Sequence, residues 1–285
     1  MILSMTGYGK QSIQLSTKKI TIELKSLNSK NLDINTRIPQ GYREKELEFR
    51  KLLAQRLVRG KVDFGLYVEI TGEETSAEIN EGVVKRYMEQ LGKIADGDAV
   101  KLLELALRLP DTLKTDKDEL DDAEYLAIKT GLQQALAALV RFREEEGKVL
   151  DQDFKLRLKL LRALLQQVTE MDAERVENVR EKLEKALNEL QVTVDTNRFE
   201  QELIYYLEKY DITEEKVRLK NHLDYFEATL NSGESNGKKL GFISQEIGRE
   251  INTIGSKANF APMQQLVVQM KDELEKIKEQ LLNVL

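Results

Sequence analysis

The sequence predicts an α+β protein: a small N-terminal mixed sheet with one packed helix, followed by a predominantly α-helical region with long antiparallel coiled-coil-like helices. Two apolar–polar alternations of period two lie within residues 20–38, and a further strand-like run covers 62–70. From about residue 80 the apolar residues instead recur at spacings of three and four. The 285 residues include only three Pro, no Trp and 33% charged side chains, the composition of a helix-rich chain. That length accommodates an α+β domain over 1–95, a helical middle region with a projecting hairpin over 96–195, and a C-terminal helical domain over 196–285.

Ile2 to Leu15 carries strand and turn residues, with Gly7 and Gly9 as bend points. Ile20–Leu27 alternates as a half-buried strand, Asn28–Asn31 is turn-rich, and Leu32–Ile38 alternates again, so a hairpin is expected before Pro39 ends it. Residues 42–58 read as an amphipathic helix through Leu47, Leu52, Leu53 and Leu57, and Gly60 marks the exit to a strand over Val62–Ile70. A helix is expected over 81–95. Gly97, Pro110 and the acidic run Asp116–Asp122 then mark an exposed connection. Helical pattern resumes at about Ala123 and runs to Phe142. Two coiled-coil-like seams follow, Phe154–Val168 and Val176–Leu190, with a charged break near Asp172 between them, and they read as a long antiparallel hairpin or a projecting arm. The last seam, Val267–Val284, steps 3-4-3-4-3, and such seams bury against their own chain or another copy.

The absence of Cys excludes a disulfide framework and a thiolate zinc site. No apolar run approaches the roughly 20 residues of a membrane span, and the opening residues lack the basic and long apolar regions of a signal peptide, so a cytoplasmic protein is expected. The net charge of −6 is unevenly distributed: residues 1–71 hold thirteen Lys or Arg against seven Asp or Glu. A basic N-terminal third in an acidic chain is compatible with a polyanion bound on one face.

The run Leu240–Lys257 places Leu240, Ile243, Ile247, Ile251 and Ile254 on one helical face, with Glu246, Glu250, Thr253 and Lys257 on a polar stripe beside it and Arg249 further round. Such a stripe suits a metal ion or a phosphate, or equally a solvated ion-pair surface. His222, the only histidine, sits at the edge of an apolar stripe formed by Leu219, Leu223, Phe226 and Leu230. It is either structural or the one side chain ordinarily able to exchange protons near neutral pH. Lys238 and Lys239 follow Gly237 at a helix start that favours anions, or end a solvated loop. Phosphate-loop, dinucleotide-fold and nucleophile-elbow motifs are absent. With one histidine, RNA hydrolysis would need carboxylates with a divalent metal, one histidine with Lys and Arg, or groups from two subunits.

In order, Ser4–Gly9, Ser26–Lys30 with Leu32-Asp33, Arg37–Pro39, Arg59–Val62, Leu107–Asp111, Arg143–Gly147, Asp211–Glu215, Arg218-Leu219 with His222, Gly237–Leu240, and Gln245-Glu246 with Arg249–Lys257 resemble the YicC/YloC family of bacterial endoribonucleases over essentially the whole chain. The resemblance implies a metal-dependent endoribonuclease that cleaves RNA phosphodiester bonds, with a divalent cation (Mn²⁺ or Mg²⁺) as cofactor. It also implies a homo-oligomer, a hexamer, enclosing its RNA. By position it puts Glu246, Glu250 and His222 in the catalytic group, with Glu246 and Glu250 as metal ligands. Lys238, Lys239, Arg249, Asn252 and Lys257 become backbone contacts, and Lys25, Asn28, Lys30, Arg37, Arg59 and Lys61 the RNA-facing residues of the N-terminal domain. The sequence departs from the family at Gly241–Ser244, where an Asp is usual, and at Gln280–Asn283, which lacks a Gln before Asn. An acidic ligand at the first position is therefore missing from the expected set. The alternatives are a non-catalytic RNA-binding adaptor in RNA turnover and a coiled-coil scaffold.

Overall fold

The computed structural model describes residues 2–71, 78–95, 97–114, 121–189, 196–232 and 236–285. Strands β1 (Gly7–Gln14), β2 (Lys18–Leu27), β3 (Leu32–Arg37) and β4 (Gly60–Ile70) form one sheet in the order β1-β2-β4-β3. A 3-10 turn over Gln40–Lys45 and helix α1 (Glu46–Arg56) connect β3 to β4. Two-residue strands β5 (Glu78–Ile79) and β6 (Leu113–Lys114) pair around α2 (Glu81–Ile94) and α3 (Ala99–Leu107). Helices α4 (Asp122–Glu189), α5 (Thr196–Lys209), α6 (Thr213–Leu230), α7 (Gly237–Lys257) and α8 (Ala261–Leu281) complete the α+β fold. No helix among the described residues is long and apolar enough to cross a membrane.

The described chain divides into two compact units. The first comprises Tyr8–Ser26 and Asn31–Leu139. Ile20, Ile22 and Leu24 of β2 and Val62, Phe64 and Leu66 of β4 point inward against Phe49 and Leu53 of α1 and Ile128, Leu132 and Leu139 of α4. Period-two alternation therefore places one sheet face in the core. The expected hairpin between the second and third strands does not form. Instead β3 pairs in parallel with β4, Leu32 beside Gly60 through Arg37 beside Gly65. A parallel neighbour needs a crossover, and the turn and α1 supply it. Gly60 has φ 124°, a backbone state that glycine adopts without the penalty of a Cβ, and its N–H donates to Asn31 O at 3.2 Å.

The second unit comprises residues 1–7, 27–30 and 140–285. Ile2–Met5 are not part of β1. Ser4 bridges to Val284, and Met5 N–H donates to Asn283 O at 2.8 Å. One core unites several apolar stripes: Phe154, Leu158, Leu161 and Val168 of α4 join Leu219, Leu223 and Phe226 of α6, Ile247, Ile251 and Ile254 of α7, and Met270, Leu274 and Ile277 of α8.

The charged break near Asp172 does not turn the chain. The segment Phe154–Val168 and the one beginning at Val176 follow one another on the single helix α4. Asp172 accepts from Arg175, itself 3% exposed, at 2.8 Å and from Lys216 of α6 at 2.6 Å, so its charge is satisfied without interrupting the helix. Leu190 and residues 115–120 of the acidic run lie outside the described residues.

Helix α4 crosses the sheet so closely that a Cβ on Gly9 would lie 2.0 Å from Ala135 O. Gly9→Ala should therefore lower stability by about 3 kcal/mol. Gly41→Ala, with nothing within 4 Å of the new methyl, should leave the chemical-denaturation midpoint unchanged.

Candidate functional site

Helices α6 and α7 are consecutive and antiparallel, and one ion pair sets their register. Lys257, at the end of α7, donates to Glu215 Oε1 at 2.7 Å and to Asp211 O at 2.9 Å, at the start of α6. Gly248 and Gly255 face α8: a Cβ at either would meet Leu274 or Val267. The stripe ending in Lys257 therefore faces α6. Seven residues make two turns, about 10 Å of rise, and return to nearly the same face. Glu250 stands seven residues before Lys257, and His222 seven after Glu215. Helical geometry thus places His222 and Glu250 level with one another on facing stripes of α6 and α7.

Glu250 is only 5% exposed, yet it has no hydrogen-bond or ion-pair partner among the described residues. Its carboxylate oxygens, unlike Glu215 Oε2, are not among the fully buried atoms without a partner, so the tip of this otherwise covered side chain still reaches solvent. Glu246, one turn earlier, is half exposed and only 4.0 Å from Arg249. His222 is half-buried, and no hydrogen bond joins it to Glu250. Thr253 returns its hydroxyl to Arg249 O at 3.0 Å. Glu246 and Arg249 thus form a solvated pair, whereas Lys257 pairs across to α6 and Glu250 pairs with neither.

Lys257 holds the fold rather than an open phosphate position, because its ammonium is bonded to Glu215 and Asp211. Glu215 is itself 5% exposed, and its second oxygen is buried without a partner. Arg249 and Asn252 are exposed, as are Lys238 and Lys239 in the first turn of α7. Lys239 Nζ lies 4.9 Å from the Tyr225 ring centre. The backbone N–H groups of that turn and the two ammonium groups present positive charge together.

In the sheet unit, the residues alternating with the core face of β1, β2 and β4 form a second, polar face. Tyr8, Lys10, Lys19, Lys25, Lys61 and Tyr67 are exposed on it, and Arg37 is exposed on β3. Lys25 is 3.5 Å from Glu23, which also accepts from Tyr8 Oη at 2.8 Å; that bond, first among its causes, holds the Glu23 carboxyl below its usual range. Arg59 differs from the expectation. It is half-buried, and desolvation lowers its guanidinium pKa. Asn28 and Lys30 belong to the unit that contains the C-terminal helices, where the Asn28 amide donates to Leu282 O. Asn28 is thus tied to the C-terminal backbone, while Lys30 is exposed.

Sequence reading missed Tyr8, Tyr67 and Arg43. Strand parity alone marks the first two, since each alternates with the core positions of its strand.

Among the described residues no group of three or more His, Cys, Asp or Glu is placed to hold a metal. Glu246 and Glu250 offer two carboxylates one turn apart. Two carboxylates fit a hard divalent ion whose remaining ligands are water and substrate oxygens.

Two family models match the chain: "Endoribonuclease YicC-like, N-terminal region" over residues 2–152 and "Endoribonuclease YicC-like, C-terminal" over residues 168–285. The chain belongs to the YicC-like endoribonuclease family. It is 34% identical over 293 residues to a probable endoribonuclease YicC of Clostridioides difficile (strain 630), with 100% of each chain covered. It is 28% identical over 288 residues to a probable endoribonuclease YicC of Haemophilus influenzae (strain ATCC 51907 / DSM 11121 / KW20 / Rd), again with 100% of each covered.

Lys257→Met should cost about 3 kcal/mol by leaving Glu215 buried and unpaired. The double variant Glu215→Gln with Lys257→Met should recover at least half of that loss in urea unfolding.

Proposed function

We propose that this protein is an endoribonuclease whose cleavage chemistry lies at the α6–α7 seam, with Glu250, Glu246 and His222 as the reacting groups. The observation that carries it is Glu250, an acid only 5% exposed and without a hydrogen-bond or ion-pair partner among the described residues, level with the only histidine in a chain of endoribonuclease kinship. Glu250 and Glu246 would hold a divalent cation, Mn²⁺ or Mg²⁺. When bound, such an ion supplies Lewis-acid stabilisation of a phosphoryl oxygen. His222 exchanges a proton with the attacking or leaving oxygen. Arg249, Lys238 and Lys239 offset phosphate charge on α7. Lys25, Lys61 and Arg37 follow the RNA backbone on the sheet, where binding is electrostatic and weakens as salt rises.

The active form is a homo-oligomer, a hexamer that encloses RNA. Exposed apolar side chains support self-association: Phe242 on α7 is 69% exposed, and Val217 and Tyr225 on α6 are 55% and 49% exposed. Large apolar side chains left exposed on these two helices are what a subunit contact would cover.

Purified protein should cut end-labelled RNA, stop in EDTA and resume with Mn²⁺ or Mg²⁺. Glu250→Gln and Glu246→Gln should each lower the cleavage rate by about 100-fold or more while RNA binding and oligomer mass persist. Equal cleavage in both variants would remove the assignment of the seam. RNA binding without cleavage by the contaminant-free parent would make the chain an adaptor.

A further inference from the structure

On the sheet unit, β3, the turn after it and β4 enclose an open cleft of about 670 Å³, within the roughly 300–1,000 Å³ typical of small-ligand sites. Its polar and aromatic lining is Thr36, Arg37, Arg43, Glu46 and Tyr67. The single acid is already engaged. Glu46 accepts from Thr36 Oγ1 at 2.7 Å and from Arg50 Nε at 2.8 Å, and these bonds hold its carboxyl below the ordinary range. Arg37 and Arg43 are exposed, and neither has a carboxylate within ion-pair distance among the described residues. Two guanidiniums at one cleft, with the local carboxylate neutralised by a third arginine, favour an anionic occupant.

Tyr67 adds a second requirement. It is 47% exposed, and its ring lies over Gly65, where a Cβ would come within 2.7–2.9 Å of Tyr67 Cε2, Oη and Cζ. Gly65 is the register partner of Arg37. The missing side chain at Gly65 thus makes room for an aromatic ring laid along the sheet beside an arginine. The ring's hydroxyl makes no hydrogen bond among the described residues. An aromatic ring backed by the strand and flanked by guanidiniums matches the chemistry of an unpaired nucleotide, stacked through its base and held through its phosphate.

We propose that this cleft is a single-nucleotide subsite for single-stranded RNA, with a base stacked on Tyr67 and the adjoining phosphate between Arg37 and Arg43. This rests on the endoribonuclease reading and adds to it a preference for unpaired RNA, because a base inside a duplex cannot reach a ring lying on the sheet. Stacking is tolerant of base identity, so the subsite selects strandedness rather than sequence.

The test is fluorescence anisotropy with the full-length protein and a labelled 12-nucleotide RNA, single-stranded or as a blunt duplex, in EDTA to prevent cleavage. Tyr67→Ala should weaken single-strand binding about ten-fold, and Tyr67→Phe should bind like the parent. Duplex affinity should not change in either variant. The double variant Arg37→Ala with Arg43→Ala should reduce the log–log salt slope by about 0.7, the value for one lost phosphate contact on a single strand. A single 5-iodouridine in the oligonucleotide should photocross-link to the Tyr67 peptide. Parent-like single-strand affinity in Tyr67→Ala, or an equal loss on duplex, would overturn the subsite while metal-dependent cleavage by the parent kept the enzyme reading intact. Tighter binding of a phosphotyrosine peptide than of the oligonucleotide would also overturn it, in favour of a protein ligand. A parent that neither binds nor cuts RNA would bring down both readings together.

Discussion

The Glu215–Lys257 pair is the constraint on which the candidate catalytic seam depends. Apolar stripes on α6 and α7 make the two helices pack, but an apolar seam alone tolerates slippage by a turn. An ammonium 2.7 Å from a carboxylate that is 5% exposed does not. Slipping the register by one turn would leave Glu215 buried without its cation, a cost of several kcal/mol. The positions two turns inward on each helix inherit that register. His222 and Glu250 therefore meet at one level because of a bond roughly 10 Å away. Stability and candidate chemistry are thus built on the same stripe, with the cation at its end serving the fold and the acid further in left without a partner among the described residues.

Much of the fold was legible because local periodicity reports burial directly. The inward residues of β2 and the stripes of α6, α7 and α8 can all be read from spacing. What spacing cannot report is which element lies next to which. The segments that became β2 and β3 look like the arms of a hairpin, yet β4 lies between them in the sheet. Alternation identifies a strand and its faces but carries no information on its neighbour. The charged stretch at Asp172 misled for a related reason. A charge pattern that would interrupt a solvated helix is neutralised here by Arg175 and by Lys216 from another helix. Only the tertiary partner makes that visible.

The same distinction divides the candidate site. The polar stripe of α7 was evident from a helical wheel, but the roles of its members were not. Lys257 resembled a phosphate contact and is a register pin. Arg59, Asn28 and Lys61 are all plausible RNA contacts by charge or polarity. The fold half-buries Arg59, ties Asn28 to Leu282 O and leaves Lys61 exposed. Tyr67 was passed over because one tyrosine in a strand carries little weight. Its significance comes from parity with Gly65 and from the proximity of Arg37, which only the parallel β3–β4 pairing creates.

Two glycines show how the sheet is divided between these tasks. Gly9 lies on the inward face of β1, where the space of its missing side chain is taken by the backbone of α4 at Ala135. Gly65 lies on the outward face of β4, where the equivalent space is taken by the Tyr67 ring. The first brings a helix close enough to seal the core with small residues. The second fixes an aromatic surface against the strand without any hydrogen bond to its hydroxyl among the described residues. A side chain at either position would displace what covers it, but the consequences differ. At Gly9 the obstacle is backbone, which cannot move without the helix, so the loss falls on folding. At Gly65 the obstacle is an exposed side chain free to swing away, so the loss falls on the surface the ring presents. Stability and the proposed recognition therefore separate on the two faces of one sheet.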